Sequence, residues 1–383
     1  MRIENFNRFV RDLYKTKNNL VPLHAPIFNG REKDYLLETL DSTFVSSVGK
    51  YVDQVEHSIA KYTNTSKAIA VVNGTAAIQV ALKISGVKQG DEVITQALTF
   101  VATANAISYN GAVPVFVDVD LDTMGMSAVA LKSFLDEYGD KREEGVFNKE
   151  TGNRISAVLP MHTFGFMCRI SEIKAICDAW GITIIEDAAE ALGSFSGGKS
   201  AGSFGSLGAF SFNGNKIITA GGGGVIISND DQLAFKAKYI TTTAKRPHSY
   251  EYYHDELGYN FRMPNLNASL LLAQFEKLEE YRCSKSNVYE EYRSFFQSFN
   301  NGIELVPIPK STSQWNYWLI SLQLSNESDR DDFLRLTNDA GIMTRPIWKL
   351  MHKLPMYSNC QRDEQSNAEI LEKTIVNIPS SAI

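Results

Sequence analysis

The chain has 383 residues, 44% of them hydrophobic and 21% charged, with a formal net charge of −6. That length can bury a large core and predicts two domains, and the composition is that of an ordinary globular protein. A negative balance without a Lys/Arg-rich run excludes a general nucleic-acid surface, so an anionic ligand needs a local basic pocket.

Taken in chain order, residues 1–20 predict a short amphipathic helix with Phe6, Phe9, Val10 and Leu13 on one side. From Ile69 two periods alternate. Strands are predicted at Ile69–Val72, Glu92–Thr95, Val113–Val117, Ile155–Pro160 and Ile182–Ile185. Helices are predicted at Ala76–Ile84, Ala102–Tyr109, Met126–Tyr138 after an Asp122-Thr123 cap, and Ile170–Trp180 ending at Gly181. Residues 140–153 are a polar insertion, expected as an exposed loop. Two more strands, Ala209–Phe212 and Gly224–Ser228, flank a loop. The alternation predicts an α/β fold with a mostly parallel central sheet and helices on both faces. Beyond Pro264 the texture changes to a long helix, Leu266 to Phe295. It leads to a smaller α+β domain built on Trp318–Leu324 and a helix from Arg330 to Ala340. The expected division is 1–265, an amino-terminal segment plus large domain, and 266–383, the linking helix plus small domain.

The four cysteines, Cys168, Cys177, Cys283 and Cys360, lack CxxC spacing, which argues against a zinc ribbon or redox dithiol. Scattered thiols fit a reducing cytoplasm. No signal-peptide core and no run near the ~20 apolar residues of a membrane span is present. The expectation is a soluble, cytoplasmic protein without membrane or nucleic-acid partners.

The chemistry concentrates at predicted strand ends, where open α/β sheets bind ligands. Lys216 stands five residues after Ser211 and just before four glycines, Gly221 to Gly224. Glu186 and Asp187 end the strand upstream. A Schiff-base lysine and a carboxylate for a pyridinium nitrogen are what pyridoxal phosphate asks of a protein. Each residue also has a plainer reading. Gly74 and Thr75, in Asn73-Gly74-Thr75, either cradle a phosphate at a helix start or form a capped turn. Phe100 either stacks on a flat ligand or fills the core. His162 either meets a ligand or satisfies a loop carbonyl. Asp187 could instead take a ribose or a metal, but no His/Asp cluster supports a metal and no GxGxxG supports a dinucleotide. Glu190 either approaches the ligand or answers a helix dipole.

The combination resembles the DegT/DnrJ/EryC1/StrS sugar aminotransferases, fold-type I pyridoxal-phosphate enzymes acting on nucleotide-linked keto-sugars. Matching stretches begin at Asn73, Leu98, Met161, Glu186, Ser211 and Gly258, and the likeness runs from about Val21 to the carboxy terminus. The resemblance implies that Lys216 bonds the cofactor and moves the proton, with Asp187 on the pyridine nitrogen and Phe100 on the ring. It also implies Gly74, Thr75 and Ser211 on the phosphate and Glu190 by the phenolic oxygen. Asn260 would reach the phosphate of a neighbouring subunit, giving a homodimer with shared sites. Lys216 argues against the branch that carries histidine there and dehydrates its sugar.

Ser46–Val52 and Asn213–Thr219 most resemble enzymes that aminate C4 of UDP-2-acetamido-2,6-dideoxy-hexos-4-uloses. GDP-perosamine synthases share a similar lysine segment. Many relatives carry an acidic residue where this chain has Gly222. The implied reaction is ping-pong transfer from glutamate to the sugar ketone. Ser47, His162, Arg262, Arg345 and His352 are the expected substrate contacts, and Lys245 and Arg246 further candidate cations for the diphosphate. A dehydratase and a non-catalytic cofactor-binding regulator are the competing readings.

Overall fold

Apolar runs between helices become buried strands because both sheet faces are covered. The computed structural model describes residues 3–16, 20–298 and 303–383. Its strands are β1 Lys67–Val71, β2 Glu92–Gln96, β3 Val113–Val117, β4 Gly139–Arg142, β5 Gly145–Asn148, β6 Arg154–Leu159, β7 Thr183–Asp187, β8 Phe195–Ser196, β9 Lys199–Ser200, β10 Leu207–Ser211 and β11 Gly224–Ser228. The large sheet follows the order β1-β11-β10-β7-β6-β2-β3. Pairing is parallel from β10 to β3, whereas β11 runs antiparallel to both β1 and β10. Val71, Ser211 and Gly224 consequently lie in register at one edge of the sheet. Asp187, opposite Ala209 and ending β7, lies toward the same edge.

The segment 140–153 is exposed over much of its length, as expected, but it is not a loop: its first part forms most of β4 and all of β5, and β5 pairs with β6. The reason is Glu92, a buried carboxylate at the start of β2. Asn148 Nδ2 donates to it at 2.8 Å, Thr151 Oγ1 at 2.6 Å and Asn153 Nδ2 at 3.3 Å. The polar residues that read as solvent-facing are partners for an interior charge.

Two helices also differ from expectation. Ala128–Tyr138 begins at a Ser127 cap, whose Oγ accepts from Ala130 N at 3.3 Å. Thr123 instead closes a turn by accepting from Gly125 N at 3.2 Å. The long helix is broken into Asn265–Phe275 and Leu278–Gln297. The first piece is buried over much of its circumference and the second is amphipathic, so the chain redirects between them at Glu276 and Lys277.

The amino-terminal helix is Ile3–Leu13; of the residues expected in it, 1, 2 and 17–19 lie outside the described residues. Phe6 is buried 5.1 Å from Phe333, Phe9 stacks on Phe295 at 4.3 Å, and Arg11 donates to Ala340 O at 2.5 Å. This helix therefore packs with the carboxy-terminal part of the chain and not on the large sheet. There β12 Ile303–Leu305, β13 Ile320–Leu324, β14 Arg345–Pro346 and β15 Ile375–Ile378 form an antiparallel sheet in the order β12-β13-β15-β14. A return segment straps it to the large sheet: Phe116 N donates to Gln361 O, and Asp118 accepts from Asn367 N and Ala368 N. Among the described residues no helix is long and apolar enough to cross a membrane.

Asn148→Ala leaves Glu92 buried with one donor fewer, and should cost about 2 kcal/mol of stability. A thermal melt lower by a few degrees is the expected result; an unchanged melt would show that the hairpin is held without this bond.

Candidate active site

Strand ends and the helices that follow them enclose a cavity of about 750 Å³. At its floor Asn73 caps the helix Gly74–Ile84, with Oδ1 accepting from Ala76 N at 2.8 Å. A Cβ at Gly74 would stand 2.8 Å from the Cβ of Ser211, so this close approach requires glycine. Gly74, Thr75 and Ser211 all line the cavity at a helix N-terminus, an arrangement that suits a phosphate.

Asp187 ends β7 almost fully buried. Thr103 Oγ1 donates to its Oδ2 at 2.7 Å and Ala189 N to its Oδ1 at 3.1 Å. Burial pushes its pKa up, while those two hydrogen bonds and the Lys216 charge pull it back. A cation brought against this carboxylate would relieve the cost of burying its charge.

Lys216 reaches into the cavity with its side chain only 13% exposed. Its Nζ lies 3.3 Å from Glu190 Oε1 and 4.1 Å from the centroid of the Trp318 ring. The Trp318 indole N–H donates to Asn215 O at 2.6 Å and so anchors the lysine loop. Glu190 is buried; its other oxygen accepts from Phe164 N at 3.0 Å, and its carbonyl takes the Asn316 amide at 2.7 Å. Burial raises the Glu190 pKa to about 7, against the pull of the Lys216 charge and the Phe164 N–H. Phe100, on the cavity wall, is 50% exposed although most of that sheet edge is buried. An aromatic face left bare there is ready for a flat ligand.

These groups fit pyridoxal phosphate. The set has the chemistry that group needs: a tight glycine cradle at a helix start for a phosphate, a buried carboxylate for a pyridinium nitrogen, a bare aromatic face for a ring and an amine for an aldehyde carbon.

Other expected residues lie elsewhere. His162 is fully buried and does not line the cavity: Nδ1 accepts from Cys168 N at 3.3 Å and Nε2 pairs with Glu186 Oε2 at 2.9 Å. Both ring nitrogens are thus taken up by groups of the protein, and neither remains for a substrate. The same Glu186 also accepts from the N–H groups of Gly202, Phe204 and Gly205, so the pair anchors a turn beneath β7. His352 sits in a short 3-10 turn outside the cavity lining, with a buried Nδ1 that has no hydrogen-bond partner. Ser47 is half-buried and away from the cavity.

Asn260 is exposed, and Arg262 donates to its Oδ1 at 3.2 Å. This pair borders β1, where Arg262 bridges Val71. Lys245 stacks over Tyr252 and Arg246 is paired with Asp255, both away from the cavity. Arg345 does line it; one of its nitrogens, Nη1, is held by Asn338 Oδ1 and Thr344 O. Trp318 and Trp348 also line it. Sequence reasoning missed both as site residues, since Trp318 reads as part of an apolar strand and Trp348 only as a neighbour of Arg345.

The sequence profile of the DegT/DnrJ/EryC1/StrS aminotransferase family matches residues 26–382. EpsN of Bacillus subtilis, named as a pyridoxal phosphate-dependent aminotransferase, is 36% identical over 94% of this chain and 90% of its own length. The GDP-perosamine synthase of Caulobacter vibrioides is 34% identical over 94% of this chain and 93% of its own. Among solved structures, S. venezuelae DesV, in complex with a ketimine intermediate, superposes with a TM-score of 0.79 at 27% identity, covering 91% of this chain and 89% of that one. The aminotransferase TlmJ from Streptoalloteichus hindustanus shares the fold at a TM-score of 0.85 and 24% identity, covering 94% and 93%.

The folded pKa of Glu190 stands above that of an unfolded glutamate. The associated stability is fully present below about pH 4.5 and lost as pH rises through about 7. In cofactor-free protein, Glu190→Gln should therefore gain on wild type in thermal melts as pH is raised across that window. Parallel pH profiles for the two proteins would refute the shift.

Proposed function

The chain belongs to the DegT/DnrJ/EryC1/StrS aminotransferase family, and from that membership we propose that it transfers the amino group of glutamate to the C4 ketone of a nucleotide-linked 4-keto-6-deoxy sugar. The proposed acceptor is a UDP-2-acetamido-2,6-dideoxy-hexos-4-ulose, and the setting cytoplasmic surface-glycan biosynthesis. The observation that carries the reading is the convergence of Lys216, Asp187 and the Gly74–Ser211 cradle on one cavity.

Enzymes of this family depend on pyridoxal phosphate, which when bound supplies an electron sink for the carbon that carries the amine. Gly74, Thr75 and Ser211 would hold its phosphate, and Asp187 would keep its pyridine nitrogen charged. Phe100 would cover its ring and Glu190 would lie on its phenolic side. Lys216 then has the central work. Its Nζ takes the proton from the α-carbon of glutamate and, in the second half of the cycle, delivers one to C4 of the sugar. The short lysine loop, anchored by Trp318, holds that amine at the reacting carbon, so proximity supplies much of the rate. Glu190, 3.3 Å from Nζ, steadies the ammonium when it carries the proton. Trp318 and Trp348 form an apolar wall that limits water. Arg345 and Lys349 are cavity-lining cations that an anionic substrate group could meet.

Ser47, Asn260 and Arg262 are not among the residues that line the chain's own cavity. A homodimer with shared sites would carry Asn260 to the partner's phosphate cradle. A second reading, a GDP-linked acceptor, is favoured by the similarity to GDP-perosamine synthases.

The test is a pair of half-reactions. Glutamate should bleach the visible cofactor band, and a UDP-linked 4-keto sugar should restore it. Restoration only by GDP- or dTDP-linked sugars would overturn the acceptor; failure of glutamate to bleach would overturn the transaminase reading. Lys216→Ala should lower turnover below detection while the protein still folds, and retained turnover would remove Lys216 from its role.

A further inference from the structure

Most glycines around the cavity are explained by the chain itself. A Cβ on Gly74 would crowd Ser211, one on Gly224 would stand 2.4 Å from the backbone of Asn73, and one on Gly223 would stand 2.9 Å from the end of Met263. Gly221 has a φ of +72°. Gly222 has none of these reasons. Its φ lies outside the left-handed region, and the nearest heavy atom a Cβ would meet is Val72 O at 3.9 Å. It lines the cavity, and the Asn267 amide fixes its carbonyl at 3.1 Å and that of Ala220 at 2.8 Å. Alanine would fit there and, by restricting the unfolded chain, would stabilise the fold. Nothing in this chain's own packing requires glycine at this cavity-lining position.

We propose that Gly222 is a specificity-determining position: the missing side chain is space taken by the nucleotide-linked sugar and not by glutamate. The inference rests on the function proposed above. Both substrates must bring their reacting carbon to Lys216. Glutamate is a short chain that can run from Lys216 toward Arg345 on the small sheet. A hexose with ring substituents and a diphosphate is far bulkier, and the wall at Gly222, beside the end of β1, gives it room.

The experiment uses cofactor-loaded Gly222→Ala and Gly222→Leu. The KM for the keto-sugar nucleotide should rise in that order, by roughly tenfold or more for the leucine variant, because extra methylenes in a fitted pocket exclude ligand steeply. The KM for glutamate should move much less, and melting temperatures should hold or rise. Calorimetric affinity for UDP-N-acetylglucosamine, a probe that cannot turn over, should fall in parallel. An acceptor KM unchanged in Gly222→Leu overturns the inference and leaves the transaminase reading intact. Equal loss of both half-reactions with a shift in sedimentation also overturns it, assigning Gly222 to a subunit contact. Wild-type protein that aminates no 4-keto sugar nucleotide overturns both readings.

Discussion

Three backbone segments meet at the edge of the large sheet with no room for a methyl group between them. Gly224 lies against Asn73, and Gly74 lies against Ser211. That meeting is possible because β11 runs against β1 and β10, so Val71, Ser211 and Gly224 arrive in register. The ends of strands far apart in sequence, the start of the Gly74–Ile84 helix and the lysine loop are thereby fixed to one another. Enlarging either glycine would part the strands and with them the cradle, so the cradle and the sheet are one construction.

The second constraint is electrostatic. Asp187, Glu190 and Lys216 are gathered where water is scarce, so each charge depends on its neighbours. Asp187 has a hydroxyl and a backbone N–H; Glu190 has a backbone N–H and the lysine. Neither carboxylate is as fully satisfied as Glu186, one residue before Asp187, which collects three backbone N–H groups and the His162 ring. The contrast separates roles along β7. Glu186 is saturated and holds structure, whereas Asp187 keeps a raised pKa and an open cavity face, as a group awaiting a cation does.

This contrast also marks where sequence reading stopped. The buried strands β1, β2, β3, β6, β7, β10 and β11 and the helices between β1 and β7 were legible as apolar runs, whereas the short strands β4, β5, β8 and β9 were not; Lys216, Asp187, Gly74 and Ser211 fall at or just beyond the ends of the legible strands. Residues whose part is decided by distant neighbours were not legible. His162 sits at a strand end like Asp187, yet Cys168 and Glu186 occupy both its nitrogens. Asn148, Thr151 and Asn153 read as solvent-exposed because their partner, Glu92, lies more than fifty residues away. Trp318 belongs to a strand-like run, but its face over Lys216 and its bond to Asn215 follow from how the small sheet docks.

That docking carries the last step. The small sheet contributes Arg345 from β14, with Trp348 just after that strand and Trp318 just before β13. The large sheet contributes the cradle, Asp187 and the lysine loop. Among the bonds that join these halves are the return segment bound along Phe116 and Asp118, and the indole N–H on Asn215. The first fixes the edge of the large sheet far from the lysine, and the second fixes the lysine loop itself. Because Arg345 lies in the small sheet and Trp318 just before β13, a displacement of that sheet would move both relative to the cradle and Asp187. The ring over the Lys216 ammonium and the guanidinium on the cavity wall are thus placed by the same docking.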